Sequence, residues 1–307
     1  MKNMSEIVAV KNLTKRYGDV TAVDHVSFQV QAGEVFGLLG PNGAGKTSTL
    51  ECIEGMRRFD GGSIMVAGVD VCRDERAVRN TLGVQLQASA LPGDIRPGEA
   101  MALVCGWHGM ELRRDLLERF GMGDMAKKTY AQMSTGQKRR LHLALALAAD
   151  PAVVVLDEPT AGLDVEGRAQ LHGAIRELKE SGMTFLLATH DMAEAEMLCD
   201  RIAIIIRGRL ITLGTPAQVT AAGSQETKIT IHTEKNSLLP GRDTAYARFI
   251  AERDGYGIWA SAQVSKAVPA LLKMIEENKD KVVDLRVERP SLEERFLEIV
   301  GTEEKAI

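Results

Sequence analysis

The feature that most constrains this chain is the run Gly40-Pro41-Asn42-Gly43-Ala44-Gly45-Lys46-Thr47. Its glycines let the backbone turn tightly with amides pointing inward, as a bound polyphosphate requires. The apolar stretch before it, residues 35–39, predicts a strand, and residues 47–56 predict a helix whose N-terminus attracts anions. A chance glycine-rich turn would lack this strand–loop–helix context, so the run predicts a nucleotide triphosphate site.

Lys46 and Thr47 carry the chemistry expected of this loop. Lys46 can reach the β and γ phosphates, and the Thr47 hydroxyl is placed to bind Mg²⁺. Ser48 follows in the same turn of the predicted helix and joins the candidate ATP-binding residues.

Two further strands end in residues that suit phosphate chemistry. Residues 153–156 form an apolar run typical of a buried parallel strand, and Asp157 and Glu158 follow it. Asp157 is placed to hold Mg²⁺ through water, and Glu158 to orient or deprotonate the attacking water. Residues 184–189 predict a neighbouring strand that ends at His190, which can bond a γ-phosphate or that water.

Two other features remain open on local sequence alone. Ser134 and Gln137 form a capping-box pattern before a predicted helix, which is either a simple cap or a site for an anion. Tyr17, just before a glycine, is either an ordinary tyrosine or a ring that stacks on adenine.

The composition limits the class of protein. A length of 307 residues suggests about two domains, and 45% hydrophobic residues suffice for a packed core. The net charge is −4, so a nucleic-acid partner is not expected. We expect a cytoplasmic protein, because no apolar run approaches the roughly 20 residues that span a bilayer and the cysteines show no pairing pattern.

Together these motifs resemble the ATP-binding subunit of an ABC transporter, from about Val8 to Pro216. The resemblance implies an α/β, P-loop NTPase core of the ABC ATPase type, with a helical subdomain at about 88–150 and an antiparallel β subdomain. The ATPase domain would occupy residues 1–220. A small C-terminal α+β domain would occupy residues 225–307, after a flexible join.

The resemblance also implies roles for individual residues in ATP hydrolysis. Gly40 to Thr47 resembles the Walker A loop, and Tyr17 the ring that stacks on adenine. Gln87 resembles the Q-loop glutamine, which contacts ATP and Mg²⁺. The remaining motifs are the signature at Ser134, Thr135, Gly136 and Gln137, the Walker B Asp157, the catalytic Glu158, the D-loop Asp164 and the switch His190.

In such ATPases two subunits pair head to tail. ATP would lie on Lys46 and Asp157 of one subunit and be covered by Ser134 and Gly136 of the other, in a homodimer or with a second kind of ATPase subunit. An integral membrane permease would bind the helical subdomain, which places the chain peripherally on the cytoplasmic face of the membrane. Thr135 departs from the family's usual glycine and could weaken the phosphate contact.

The C-terminal stretch, residues 290–299, resembles the extension of bacterial ATPases that serve drug, antibiotic or sodium exporters. The resemblance therefore implies an ATPase that powers export. One alternative is a soluble ABC ATPase acting on nucleic acid or the ribosome, although such chains usually carry tandem cassettes or a coiled-coil insertion. A small-molecule kinase is a further alternative, but it would lack the combined motifs.

Overall fold

The structure, a computed structural model, describes residues 5–85, 90–222 and 226–305. The strands within these residues are β1 (Glu6–Tyr17), β2 (Val20–Gln31), β3 (Val35–Leu39), β4 (Gly61–Val66), β5 (Val69–Asp70), β6 (Leu82–Gln85), β7 (Val153–Asp157), β8 (Thr184–Thr189), β9 (Arg201–Ile206), β10 (Arg209–Gly214), β11 (Thr227–Thr233), β12 (Arg248–Arg253), β13 (Tyr256–Ser261) and β14 (Val282–Glu288).

The α-helices within the same residues are α1 (Lys46–Ile53), α2 (Glu75–Thr81), α3 (Pro97–Trp107), α4 (Arg114–Arg119), α5 (Thr135–Ala146), α6 (Val165–Glu180), α7 (Met192–Leu198), α8 (Pro216–Ala221), α9 (Val264–Glu277) and α10 (Leu292–Lys305). A single 3₁₀ turn at Tyr130–Gln132 precedes α5. In the part of the chain that is described, every helix is too short or too polar to cross a bilayer.

The central sheet has the order β10-β9-β3-β8-β7-β6, and every neighbouring pair is parallel except β9 and β10. Strands β3, β7 and β8 are buried along their whole length, which explains their continuous apolar sequences. The register pairs Leu39 with Thr189 and Asp157 with Ala188. The residues that follow these strands therefore meet at one edge of the sheet, as the sequence predicts.

A second sheet, with the order β2-β1-β4-β5, is antiparallel throughout. Its apolar side shares a core cluster with the central sheet, and the rings of Phe28 and Phe36 stack there at 5.1 Å. This is the predicted antiparallel β subdomain. The sequence pattern predicts strands only at residues 7–13 and 26–30. Strands β1 and β2 extend further, because register shifts interrupt the alternation along β1 and a regular period of two is what reveals a strand in sequence.

The helices α3, α4 and α5 with the 3₁₀ turn make up the predicted helical region between residues 88 and 150. Their packing buries a row of apolar residues: Met101, Cys105, Leu116, Phe120, Leu141 and Leu145. The predicted α/β core with a helical region and an antiparallel sheet is thereby confirmed.

The chain divides into two compact units, Met1–Pro216 and Ala217–Ile307. This division falls just before the predicted join at residues 221–225. In the second unit the sheet order is β12-β13-β11-β14, all antiparallel, and α9 shares a core cluster with it around Trp259 and Leu271.

The α+β character of the second unit agrees with the sequence, but β12 and β13 are not predicted. A register shift between Phe249 and Ala251 breaks the alternation of β12, so its sequence lacks the period of two that predicts a strand. Helix α9 begins at Val264, earlier than the predicted helical segment at residues 270–277, and it contains Pro269. The sequence also predicts a closing helix within residues 290–299, with Ser291 as its cap. Helix α10 confirms this, because the Ser291 hydroxyl accepts a hydrogen bond from the Glu294 amide at 3.1 Å.

Candidate active site

The phosphate loop joins β3 to α1 and has the conformation that its glycines permit. Gly43 and Gly45 have φ angles of 78° and 103°, in the left-handed region that favours glycine. A Cβ at Gly45 would also clash with the carbonyl oxygen of Ala22. Gly45 is the N-cap of α1 and provides no side-chain cap. The first amides of α1 are therefore available to an anion in the way that phosphate sites use helix N-termini.

Lys46 lies at the centre of this loop and is 6% exposed. Its ammonium donates to the carbonyl oxygens of Gly40 at 2.7 Å and Pro41 at 3.2 Å, and it lies 3.9 Å from Glu158 Oε1. Burial lowers the pKa of Lys46, and the nearby carboxylates of Glu158 and Asp157 oppose that shift. A phosphate oxygen could replace these carbonyl contacts with a charge-assisted bond.

Asp157 ends β7 directly opposite the start of α1. Its Oδ2 accepts a hydrogen bond of 3.1 Å from the Thr47 hydroxyl. Burial raises the pKa of Asp157, and the hydrogen bond from Thr47 opposes this effect. The other oxygen, Oδ1, is buried and has no hydrogen-bond partner among the described residues. A buried carboxylate oxygen without a partner is costly, and a cation or ordered water would satisfy it.

Glu158 and His190 form the second polar pair of the site. The Oε2 of Glu158 lies 2.7 Å from His190 Nδ1, and the Glu158 side chain is almost fully buried while that of His190 is 56% exposed. Glu158 has a φ of 49°, unusual for a residue with a side chain, and its amide donates to Ala188 O at 2.9 Å. This bond to β8 helps hold the backbone of Glu158 in a conformation that costs on the order of 1 kcal/mol.

The phosphate loop and Glu158 line one cleft of about 320 Å³, and Asp157 bonds to Thr47 in its wall. Its lining residues are Ala22, Asn42, Gly43, Ala44, Gly45, Lys46, Thr47, Ser48 and Glu158. His190 reaches the cleft through its contact with Glu158. The structure thus brings together Lys46, Thr47, Asp157, Glu158 and His190, the residues that the sequence predicts for hydrolysis.

Tyr17 lies at the rim of the same site. Its hydroxyl is 3.3 Å from the Ser48 hydroxyl, and its side chain is 39% exposed. The Lys15 ammonium lies 5.1 Å and the Arg57 guanidinium 5.6 Å from its ring centroid. Adenine stacking on this ring stays a prediction, supported by its partial exposure.

The signature residues line a different cleft of about 390 Å³, together with the D-loop. Its lining residues are Ser134, Thr135, Gly136, Gln137, Arg140, Gly162, Leu163, Asp164, Glu166, Gly167 and Gln170. No residue lines both this cleft and the phosphate-loop cleft. Within one chain, the described signature residues are thus not part of the cleft that holds Lys46.

Both helices that begin in the second cleft have a side-chain N-cap. The Ser134 hydroxyl accepts from the Gln137 amide at 3.2 Å, and Gln137 Oε1 accepts from the Ser134 amide at 3.0 Å. Asp164 caps α6 by accepting from the Gly167 amide at 2.8 Å. The predicted capping box is confirmed, and an anion at this helix end stays a prediction.

The structure does not describe one predicted site residue, and it adds residues to the site that are not predicted. Gln87, the candidate Q-loop glutamine, lies outside the described residues. Two further residues are not predicted: Ala22, whose carbonyl packs against Gly45, and Arg140 in the second cleft. Helical spacing from Gln137 places Arg140 on nearly the same face and could have indicated it, whereas nothing local marks Ala22.

Comparison with known proteins gives one consistent result. Residues 23–161 match the ABC transporter family. The chain is 35% identical to a daunorubicin resistance ATP-binding protein of Streptomyces coeruleorubidus, and the match covers 97% of each chain. It is 31% identical to a linearmycin resistance ATP-binding protein of Bacillus subtilis, over 96% of this chain and 98% of that one.

Solved structures agree with this result. A structure described as the ATP binding subunit of an ABC transporter superposes with a TM-score of 0.64 and 27% identity, covering 70% of this chain and 92% of that one. The two resistance proteins match nearly the full length, which includes the second unit. The chain therefore belongs to the family of ABC transporter ATP-binding subunits, the ATPases of these transporters.

Proposed function

We propose that this ATPase powers the export of an antibiotic-like compound through a separate membrane permease. The observation that carries the proposal is the contact of Glu158 with both His190 and Lys46 in the phosphate-loop cleft. The full-length similarity to two antibiotic resistance ATP-binding proteins supports export as the process that hydrolysis drives.

Each side chain has a distinct task in the proposed reaction. Lys46 exchanges its carbonyl contacts for the β and γ phosphates of ATP. The Glu158 carboxylate accepts a proton from the attacking water, and His190 holds that carboxylate in place. Tyr17 stacks on the adenine.

The same cleft suits Mg²⁺, which would neutralise charge on the phosphate oxygens. Thr47 offers a hydroxyl oxygen, and Asp157 offers the carboxylate oxygen that has no partner among the described residues. The described residues contain no cluster of three His, Cys, Asp or Glu side chains that could hold a metal by themselves. This agrees with Mg²⁺, which keeps several waters and uses substrate phosphates as ligands.

A second subunit would complete the ATP site. The separation of the signature cleft from the phosphate-loop cleft supports a head-to-tail dimer, in which Ser134 and Gly136 of one subunit cover the ATP on Lys46 of the other. Asp164 lies beside the signature residues in the same cleft and would face that interface.

The permease would bind a third cleft, of about 770 Å³, which Arg76, Arg79, Asn80, Trp107, His108, Met110 and Ala149 line. Trp107 is 87% exposed and Leu103, on the same helix, is 65% exposed. Tryptophan and arginine are enriched among the residues that contribute most binding energy in protein contacts. This contact would hold the chain peripherally on the cytoplasmic face of the membrane.

The test is a pull-down from detergent-solubilised native membranes with the Glu158→Gln protein and Mg-ATP. A multi-span membrane protein should co-purify, and Trp107→Ala in the same background should reduce its recovery while ATP binding is unchanged. Recovery of ribosomes or nucleic acid, without a membrane protein, would contradict the transport function and leave the ATPase assignment intact.

A further inference from the structure

Two charged pairs join α6 to α7, the helix that begins two residues after His190. The Arg168 guanidinium on α6 donates a hydrogen bond of 2.9 Å to Asp191 Oδ2 at the start of α7. About one turn further along both helices, His172 Nε2 lies 3.2 Å from Glu194 Oε1. One face of α6 is therefore bonded to the helix that starts beside the switch histidine.

The position of the His190 ring depends on the backbone at the start of α7. Within the described ranges, Glu158 is the one polar partner of this ring, at 2.7 Å. The next residue, Asp191, fixes the backbone, because its amide donates to the Thr189 hydroxyl at 3.0 Å. Its Oδ1 caps α7 by accepting from the Glu194 amide at 3.0 Å. Its other carboxylate oxygen is the one that the α6 guanidinium holds.

Helix α6 is a fixed support for this contact. One side of the helix is buried through Leu171, Ile175 and Leu178. Its first turn also packs closely on α5, since a Cβ built at Gly136 would lie 3.7 Å from the Gly167 Cα. The residue after this glycine is Arg168, so its side chain extends from a backbone that is packed on two sides.

The two pairs differ in exposure, and this difference separates their tasks. The His172 and Glu194 side chains are 4% and 0% exposed, and Glu194 Oε2 has no hydrogen-bond partner in the part of the chain that is described. Removing a partner from a buried polar group is costly, so this pair holds the two helices together. Arg168 and Asp191 are 43% and 27% exposed, so their ion pair adds little to stability and acts on the local position of Asp191.

We propose that Arg168 is a positioning residue for ATP hydrolysis. Through Asp191 it fixes the start of α7, and with it the His190 ring that holds Glu158. The inference rests on the proposed role of His190 as the residue that keeps the general base in place. Arg168 lines neither the phosphate-loop cleft nor the signature cleft. Its contribution therefore passes through His190 and not through contact with the nucleotide.

A double-mutant cycle in the full-length protein tests this path. Arg168→Gln should lower kcat by about threefold to tenfold, with an unchanged KM for ATP, because it loses a partly exposed, charge-assisted hydrogen bond. In the His190→Ala background the same change should have no further effect, because the ring that Arg168 positions is gone. Arg168→Lys keeps a cationic donor beside Asp191 and should recover part of the rate. Arg176→Gln removes the same charge from an exposed place on α6 and is the matched control.

Thermal midpoints check that every variant is folded, and the Arg168→Gln midpoint should match that of the control. Two results would overturn the inference and leave the role of His190 intact. One is an Arg168→Gln variant that hydrolyses ATP at the unaltered rate. The other is a loss of kcat by the same factor with and without the His190 side chain. A His190→Ala variant with full activity would instead refute the proposed role of His190, and the inference with it.

Discussion

Glu158 Oε2 lies 2.7 Å from His190 Nδ1, while Glu158 Oε1 lies 3.9 Å from the Lys46 ammonium. One carboxylate is thereby held between the histidine after β8 and the lysine that opens α1. Three segments far apart in sequence converge on this side chain, and the catalytic predictions follow from its position.

Glu158→Gln should slow ATP hydrolysis by about 10²-fold or more, because an amide cannot accept the proton of the attacking water. ATP binding should persist, since Lys46 and the phosphate loop are unaltered. Phosphate release and a nucleotide titration measure the two effects, and Glu180→Gln, an exposed change at the end of α6, serves as control. Hydrolysis at the normal rate would show that a residue other than Glu158 is the general base.

His190→Ala should lower kcat by roughly 10- to 100-fold, the effect of losing a hydrogen bond to a charged group. The KM for ATP should change little, because the phosphate loop does not depend on this contact. The His190→Asn variant should recover part of the rate, because the asparagine side chain can donate an amide hydrogen to Glu158. A variant whose loss appears only in KM would show that His190 binds substrate and does not position Glu158.

Lys46→Ala should nearly abolish ATP binding by removing the cation from the phosphate loop. Lys273→Ala is the control, because this exposed lysine lies on α9 in the second unit. Isothermal titration with ATP under identical conditions separates the two. Undiminished affinity in the Lys46 variant would refute the assignment of the loop.

Thr135→Gly should raise the hydrolysis rate of the dimer by about twofold to fivefold, equivalent to less than about 1 kcal/mol in the barrier. The reason is that Thr135 is an exposed, β-branched residue at the first position of α5, in the cleft that is proposed to cover ATP. Steady-state rates at saturating ATP measure the change. A lower rate in a folded variant would mean that the threonine contributes a useful contact.

Glu54, which is buried near Asp157, provides a pH-dependent prediction for the stability of the fold. It is 1% exposed, neither carboxylate oxygen has a hydrogen-bond partner among the described residues, and burial raises its pKa from 4.5 to about 7. The folded chain therefore binds more protons than the unfolded chain between pH 4.5 and 7, and its stability falls as pH rises through that window.

The Glu54→Gln variant should be more stable than the unaltered protein at pH 8 by on the order of 2 kcal/mol, and about equally stable below pH 4.5. Thermal midpoints at both pH values measure the difference. A difference in thermal midpoint between the two proteins that is the same at both pH values would show that Glu54 does not titrate in this window.

The first unit could be predicted in large part from the sequence because its motifs are continuous. A glycine-rich loop between an apolar strand and a helix is typical of a phosphate site, and Asp157 and Glu158 stand at the end of a buried strand. The capping box at Ser134 is equally local, since both of its hydrogen bonds join residues three positions apart. The limits of β1 and the existence of β12 could not be predicted from the sequence, because an irregular register removes the periodic pattern on which a strand prediction depends.

The sequence by itself determined which residues could bind phosphate, hold Mg²⁺ and activate water, because those properties belong to side chains and short loops. Only the tertiary structure decided which of them meet. It brought His190 to Glu158 and Asp157 to Thr47 through the parallel register of β3, β7 and β8, and it put Ser134 in another cleft. Long-range strand order has no local signature, since it follows from how the whole core packs.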